Sequence, residues 1–202
     1  MSAESNTSRR GNAKPAKWRF EPKQLEAYRG IDYELIPLNA PDAKDAKGRA
    51  IGKAPLKGWR VDPPISVEEA VERLAFANVG VRLGERDLVI DVDPRNFSEG
   101  DDPLRRLQDD LGIDLGPDTY PRVVTGSGGF HIYARLPEAT LLVDSLEKYQ
   151  GVEFKSLGRQ VVAAGSCHPG TKAPYVFSDA SKAKKLADGT PDAPKALVEL
   201  CT

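Results

Sequence analysis

The run Leu88-Val89-Ile90-Asp91-Val92-Asp93-Pro94 is a stretch of apolar strand formers that ends in two carboxylates two residues apart. Side chains on a strand alternate with period two, so Asp91 and Asp93 fall on the same face. Two adjacent carboxylates repel and raise each other's pKa unless a cation sits between them. Hard oxygen donors on a rigid strand end suit Mg2+ or Mn2+. An exposed strand end with solvated acids has the same pattern, and a bare Asp-x-Asp is common.

Three further segments carry chemistry. In Thr125-Gly126-Ser127-Gly128-Gly129-Phe130-His131-Ile132-Tyr133, glycines at a tight turn leave backbone N–H groups exposed, as a phosphate needs. His131 follows into the next strand, on the opposite parity to Ile132 and Ala134. In Gly151-Val152-Glu153-Phe154-Lys155, Val152 and Phe154 fall on one face and Glu153 and Lys155 on the other. That charged pair is either a surface ion pair of little worth or a third carboxylate for a metal with a cation for phosphate. In the segment from Gln160 to Gly170, a strand runs into a polar turn where Ser166 and His168 could donate hydrogen bonds to an anion. Ordinary turn chemistry explains the same residues. Cys167 lacks a partner pattern for nucleophilic catalysis and reads as structural.

The strands of Asp91, His131 and Glu153 each place apolar residues at one parity and polar, titratable ones at the other. If they pair in one sheet, one face is core and the other a polar site holding three acids, a histidine and at least one lysine. Such a set fits phosphoryl transfer, with two metals held ~3.5–4 Å apart by carboxylates and cations on a triphosphate.

The elements that must position these residues are legible in outline. Pro22–Tyr28 reads as a short helix stopped by Gly30, and 33–38 as a strand. Residues 39–60 form a long connection that between 44 and 60 holds Lys44, Lys47, Arg49, Lys53, Lys57 and Arg60 against the single acid Asp45; a loop of that length is functional or disordered. Ser66-Val67-Glu68-Glu69 is a capping box opening a helix through Ala77. Strands 79–83 and 88–92 around Gly84-Glu85-Arg86-Asp87 read as a hairpin. Pro103–Leu111 reads as a helix capped by Asp101 or Asp102 and stopped by Gly112. Strands 122–125 and 130–135 flank the glycine turn. Strands 151–156 and 159–164 read as a second hairpin turned at Leu157-Gly158. A short strand at 174–177 and a helix at 194–200 complete the order. The fold class is α+β, a mostly antiparallel sheet covered by helices.

The chain has 202 residues, 40 % hydrophobic and 29 % charged, which suits one domain with tails. Lys+Arg 29 against Asp+Glu 30 gives a net charge of −1, which argues against a bulk polycation and leaves room for a local basic groove. No run of about 18 apolar residues exists for a membrane span, and no apolar signal region opens the chain. Two cysteines make no disulfide framework, so a reducing cytoplasm is expected. Two histidines and two cysteines do not supply a typical structural zinc site without carboxylate help. Residues 1–17 are polar and basic and read as a disordered tail.

These motifs, in this order, resemble the bifunctional DNA primase/polymerase (prim-pol) domain of the archaeo-eukaryotic primase superfamily, found in phage and plasmid replication proteins. The resemblance covers roughly residues 18–178. It rests on Ile90-Asp91-Val92-Asp93-Pro94, on Thr125-Gly126-Ser127-Gly128-Gly129-Phe130-His131, and on Val152-Glu153-Phe154-Lys155 leading to Ala164-Gly165-Ser166. Lys53-Ala54-Pro55 with Trp59, and Asn78-Val79-Gly80-Val81 with Gly84, support it. The family often has Asp, an apolar residue and Arg where Glu153, Phe154 and Lys155 stand here, and frequently Pro in place of Ala164.

The resemblance implies an RRM-like catalytic sheet flanked by helices and packed with a small N-terminal α/β unit. It implies divalent metals on Asp91, Asp93 and Glu153, and His131 on the phosphates of the incoming nucleotide. Template-directed nucleotidyl transfer from dNTP or NTP onto a primer 3′-hydroxyl follows as the expected activity. Asp91, Asp93, Glu153 and His131 are its expected catalytic residues. Nucleotide contacts are expected from His131, Lys155, Ser127, Ser166 and His168. Single-stranded DNA template contacts are expected from loop 44–60, notably Lys53, Lys57 and Trp59, and from Lys172 and the lysines at 182, 184 and 185. Trp59 or Tyr133 is a candidate for stacking on a base. Residues 179–202 are expected to form a tail or helix leading to a missing helical or helicase part, so a helicase is an expected partner of a full-length protein in a bacterial or archaeal host. Two alternatives stay open: a metal-dependent nuclease built on Asp91 and Glu153-x-Lys155, and a non-catalytic RRM-like module that binds single strands through exposed aromatics.

Overall fold

Among the described residues, eight short strands form two sheets, and every pairing within the sheets is antiparallel. The structure is a computed structural model and describes residues 18–178, 186 and 189–202. The basic leader 1–17 and the lysines at 182, 184 and 185 lie outside the described residues. In chain order the strands are β1 (Glu34–Pro37), β2 (Val79–Arg82), β3 (Asp87–Val92), β4 (Arg122–Val124), β5 (Phe130–Arg135), β6 (Val152–Lys155), β7 (Gln160–Val162) and β8 (Val176–Phe177). Among the described residues three α-helices are complete: α1 (Val67–Arg73), α2 (Pro103–Leu111) and α3 (Lys195–Cys201). The fold is α+β.

Local sequence explains the helix ends. The Ser66 hydroxyl accepts from the Glu69 N–H at 3.1 Å, and the Glu69 carboxylate accepts from the Ser66 N–H at 2.7 Å, the reciprocal arrangement of a capping box. α1 stops at Arg73, short of the expected Ala77, because residues 75 and 76 tighten onto carbonyls three back. Asp102 caps α2 through the Arg105 N–H at 3.0 Å. Gly112 then leaves the helix at φ +61°, a conformation that favours glycine.

The two expected hairpins at 84–87 and 157–158 do not form. One sheet has the order β1-β2-β7 and the other β6-β3-β5-β4-β8, so the chain crosses between sheets at both turns. The physical reason is two-sided burial. β2 buries Val79, Gly80 and Val81, and β3 buries Leu88, Val89 and Ile90. A strand apolar at both parities needs cover on both faces, which a two-stranded hairpin does not provide.

The five-stranded sheet is sandwiched. Leu88, Ile90 and Val92 of β3, with Ile132, Ala134, Val152 and Phe154, pack with Leu104 and Leu107 of α2 and Leu197 and Cys201 of α3. The opposite parity is not wholly a polar site. Val89 and Tyr133 join the second core cluster with Leu35, Val79, Val81 and Val161 of the smaller sheet and Leu74 beside α1. At one end of that face the buried Asp87 pairs with Arg135. At the other end Asp91, His131 and Glu153 stand together in register. The two sheets therefore confine the polar chemistry to one edge of the sandwich.

Candidate active site

Asp91 lies on β3, an interior strand of the five-stranded sheet, with His131 of β5 as its register partner on one side and Glu153 of β6 on the other. Direct antiparallel partners hold their Cβ atoms about 4.5–5.5 Å apart, so the three side chains share one patch. The Nε2 atom of His131 is 3.7 Å from an Asp91 carboxylate oxygen, beyond a hydrogen bond. Asp93 continues the strand path, its N–H donating to the Gly151 carbonyl at 2.9 Å.

Each outer acid is held by its own cation. The Arg95 guanidinium grips both oxygens of Asp93, at 2.9 and 2.6 Å, and this grip holds the Asp93 carboxyl below the usual range. Lys155 donates to Glu153. With side chains so turned, no three His, Cys, Asp or Glu among the described residues gather at a point where an ion would sit. The donor types and the Asp91–Glu153 register nevertheless fit a hard divalent cation, and Arg95 and Lys155 now supply the positive charge that such an ion would bring.

The cleft above Asp91 and Asp93 has a volume of about 150 Å³, with Lys53, Arg95, Thr125, Ser127, Tyr175 and Gln160 among its walls, whereas Glu153 lines a neighbouring groove with Asn96 and Gln150. His131 is 5 % exposed, and burial pushes its imidazole below the ordinary range; Lys53 and Lys155 act the same way and Asp91 opposes them. Its Nδ1 is buried without a hydrogen-bond partner. An unpaired polar atom of this kind costs about 1–3 kcal/mol, and such groups concentrate at functional positions.

The glycine turn works mainly by close approach. A Cβ at Gly129 would collide with the Val92 carbonyl oxygen, and one at Gly126 with His168. The Gly128 and Gly129 N–H groups are already bonded to the carbonyl and hydroxyl of Thr125, each at 3.1 Å, so they are not offered to a phosphate as the sequence suggested. Ser127 does line the cleft, its hydroxyl 3.0 Å from that of Thr125.

Other expected residues divide. Ser166 is fully buried. Its hydroxyl donates to the Val79 carbonyl at 2.9 Å and accepts from the Val79 N–H at 3.0 Å, so it ties the turn to β2 and leaves nothing for a ligand. His168 accepts from the Gly170 and Thr171 N–H groups at Nδ1, which leaves the neutral ring its proton on Nε2. Burial, with Lys53 and Arg95 nearby, pushes its pKa down to about 4. Lys53, expected on the template, instead lines the cleft, where burial and Arg95 lower its pKa against the pull of Asp91 and Asp93. Lys57 is exposed on the loop, and Lys172 stacks on Trp18 at 5.2 Å beside the His168 turn. Tyr133 is fully buried, its hydroxyl 3.2 Å from that of Tyr28, and so has no face for a base.

Three residues around the site have no role assigned from sequence, although Asn78 belongs to a supporting motif of the resemblance. Arg95 carried a signal in its position two residues past Asp93. Tyr175, which the sequence places only in a short strand at 174–177, lines the cleft between the His131 ring at 5.9 Å and the His168 ring at 6.1 Å. Asn78, a buried amide at the mouth of an apolar strand, donates to the carbonyls of Gly52 and Cys167 at 2.9 Å each and accepts from the Cys167 N–H at 2.8 Å. It thereby fixes the neighbours of both Lys53 and His168.

Among the described residues no helix is long and apolar enough to cross a membrane. No curated protein matches the chain. The family model for the bifunctional DNA primase/polymerase N-terminal domain matches residues 24–196, and the chain belongs to that family.

Proposed function

We propose that the cleft around Asp91 carries out template-directed nucleotidyl transfer from a nucleoside triphosphate onto a 3′-hydroxyl. Family membership supports a DNA primase/polymerase function, with DNA and nucleotides as substrates. The observation that carries the finer reading is the register Glu153–Asp91–His131 across three adjacent strands, which assembles acids and imidazole from distant segments at one end of the sheet.

Asp91, Asp93 and Glu153 would hold Mg2+ or Mn2+. Bound there, the ions would polarise the α-phosphate and acidify the attacking hydroxyl. The protein's own groups supply the rest. Arg95 and Lys155, released from Asp93 and Glu153, join Lys53 as cations facing a triphosphate. His131, kept neutral at physiological pH by its burial, donates one N–H without adding charge. The Nε2–H of His168 and the hydroxyl of Ser127 are further donors at the cleft and its adjoining groove.

The test is primer extension on single-stranded DNA with Mg2+ or Mn2+. Asp91→Asn and Asp93→Asn should each lower extension by about two orders of magnitude or more, the scale seen when charge-stabilising groups are removed. Extension at the wild-type rate in Asp91→Asn would remove the proposal.

A further inference from the structure

Beside the cleft lies a second groove of about 320 Å³, lined by Trp59, Arg60, Lys155, Arg159 and Gln160 among others. Gln160 lines both spaces, so the groove adjoins the cleft. Lys155, the partner of Glu153, also lines the groove. Two features show a built platform. Arg82 reaches out of β2 with a side chain only 14 % exposed and donates to the carbonyls of Trp59 and Asp62 at 2.7 and 2.9 Å. The Trp59 ring packs partly against the core, with the Arg60 guanidinium 4.7 Å from its centre. Arg60, which lines the groove, and the exposed Lys57, two residues before Trp59, have no acidic partner among the described residues, so positive charge stands at and beside the groove.

From these observations we infer that this groove is the track of the single-stranded DNA template, with one unpaired base on Trp59 and the phosphates on Arg60 and Lys57. The inference rests on the transfer reading and deepens it by giving the template a path. An exposed cation–π pair is a weak contact. Arg60 exchanges it for a phosphate, and the ring face it leaves takes a base. Stacking of this kind accepts any base and requires an unpaired one. Gln160 then marks where the strand turns into the cleft, its Nε2 donating to the Lys53 carbonyl at 3.1 Å.

The experiment measures binding without metal or nucleotide. The chain has two tryptophans, so Trp18→Phe leaves Trp59 as the reporter. Titration with a short oligo(dT) should quench its emission, and a duplex of equal length should quench it far less. By anisotropy of labelled oligo(dT), Trp59→Ala should weaken binding about tenfold. Arg60→Ala, at an exposed side chain that folding does not need, should lower the slope of log affinity against log salt by about 1. Unchanged Trp59 emission at saturating oligonucleotide overturns the inference, as does wild-type affinity and salt slope in Arg60→Ala. Asp91→Asn separates the two readings. If it keeps the quench and loses extension, both stand; if it keeps both, the transfer reading falls and the groove stands. If Trp59 is silent while Asp91→Asn abolishes extension, only the groove falls.

Discussion

Asn78→Ala is the perturbation that couples fold and site most directly. The Asn78 side chain is fully buried and makes three hydrogen bonds of 2.8–2.9 Å, two to carbonyls and one from an N–H. Each contributes about 1 kcal/mol net, and a buried group left unsatisfied costs about 1–3 kcal/mol. Water entering the space offsets part of that, which leaves about 3 kcal/mol. Against a total of about 5–15 kcal/mol for a domain, the variant should fold and melt lower by about 6–12 °C. The lost contacts hold Gly52 and Cys167, the immediate neighbours of Lys53 and His168. Gly52 is itself wedged between Pro41 and Pro169, so the two segments should shift together. Thermal unfolding by circular dichroism checks the first consequence. Steady-state extension checks the second: KM for the nucleotide should rise more than kcat falls, because Asn78 positions binding groups without touching the reacting atoms. A melting temperature within about 2 °C of wild type, which is less than 1 kcal/mol at this chain length, would refute the reasoning.

Further predictions concern single groups of the cleft. Gly129→Ala should sharply reduce the yield of folded protein, measured by urea unfolding, because its Cβ would drive into the Val92 carbonyl and part β5 from β3. Tyr175→Phe should leave the urea midpoint unchanged, since its hydroxyl has no hydrogen-bond partner among the described residues, and should raise KM for the nucleotide in extension assays. His168 titrates at about 4 when folded against an ordinary 6.5, so between those values the unfolded chain binds more protons and stability falls as pH falls. His168→Asn should therefore flatten the loss of stability on acidification from pH 6.5 towards 4; wild-type and variant curves that run parallel across that window would contradict the assignment.

The alternation along three strands was enough to group Asp91, His131, Glu153 and Lys155, because period-two side chains keep a fixed face in any antiparallel pairing. Which strands are neighbours was not legible. A short glycine turn looks the same whether its strands pair or diverge, and only the double-sided apolarity of 79–81 and 88–90 hinted at two packed sheets. Capping residues located the start of α1 and both ends of α2, since those bonds are local, whereas the end of α1 at Arg73 had no such signal. Ser166 and Tyr133 were misplaced for one reason: a hydroxyl in sequence does not reveal whether its partner is the backbone of another strand or solvent. Lys53 read as a loop cation because nothing local shows that Asn78 and Gln160 draw its loop onto the acids. Arg95 and Tyr175 acquire a role only once the turn at 126–129 and the segment 165–175 close over the strand end.

The most direct measurement is Mn2+ titration of the folded chain, following loss of the free-ion electron paramagnetic resonance signal, for wild type and Asp91→Asn. Wild type should take up Mn2+, and Asp91→Asn, folded as judged by circular dichroism, should bind it at least about tenfold more weakly, a difference of about 1.4 kcal/mol. Equal uptake by the two proteins, or none by wild type, would contradict an ion-dependent centre on the β3 strand end.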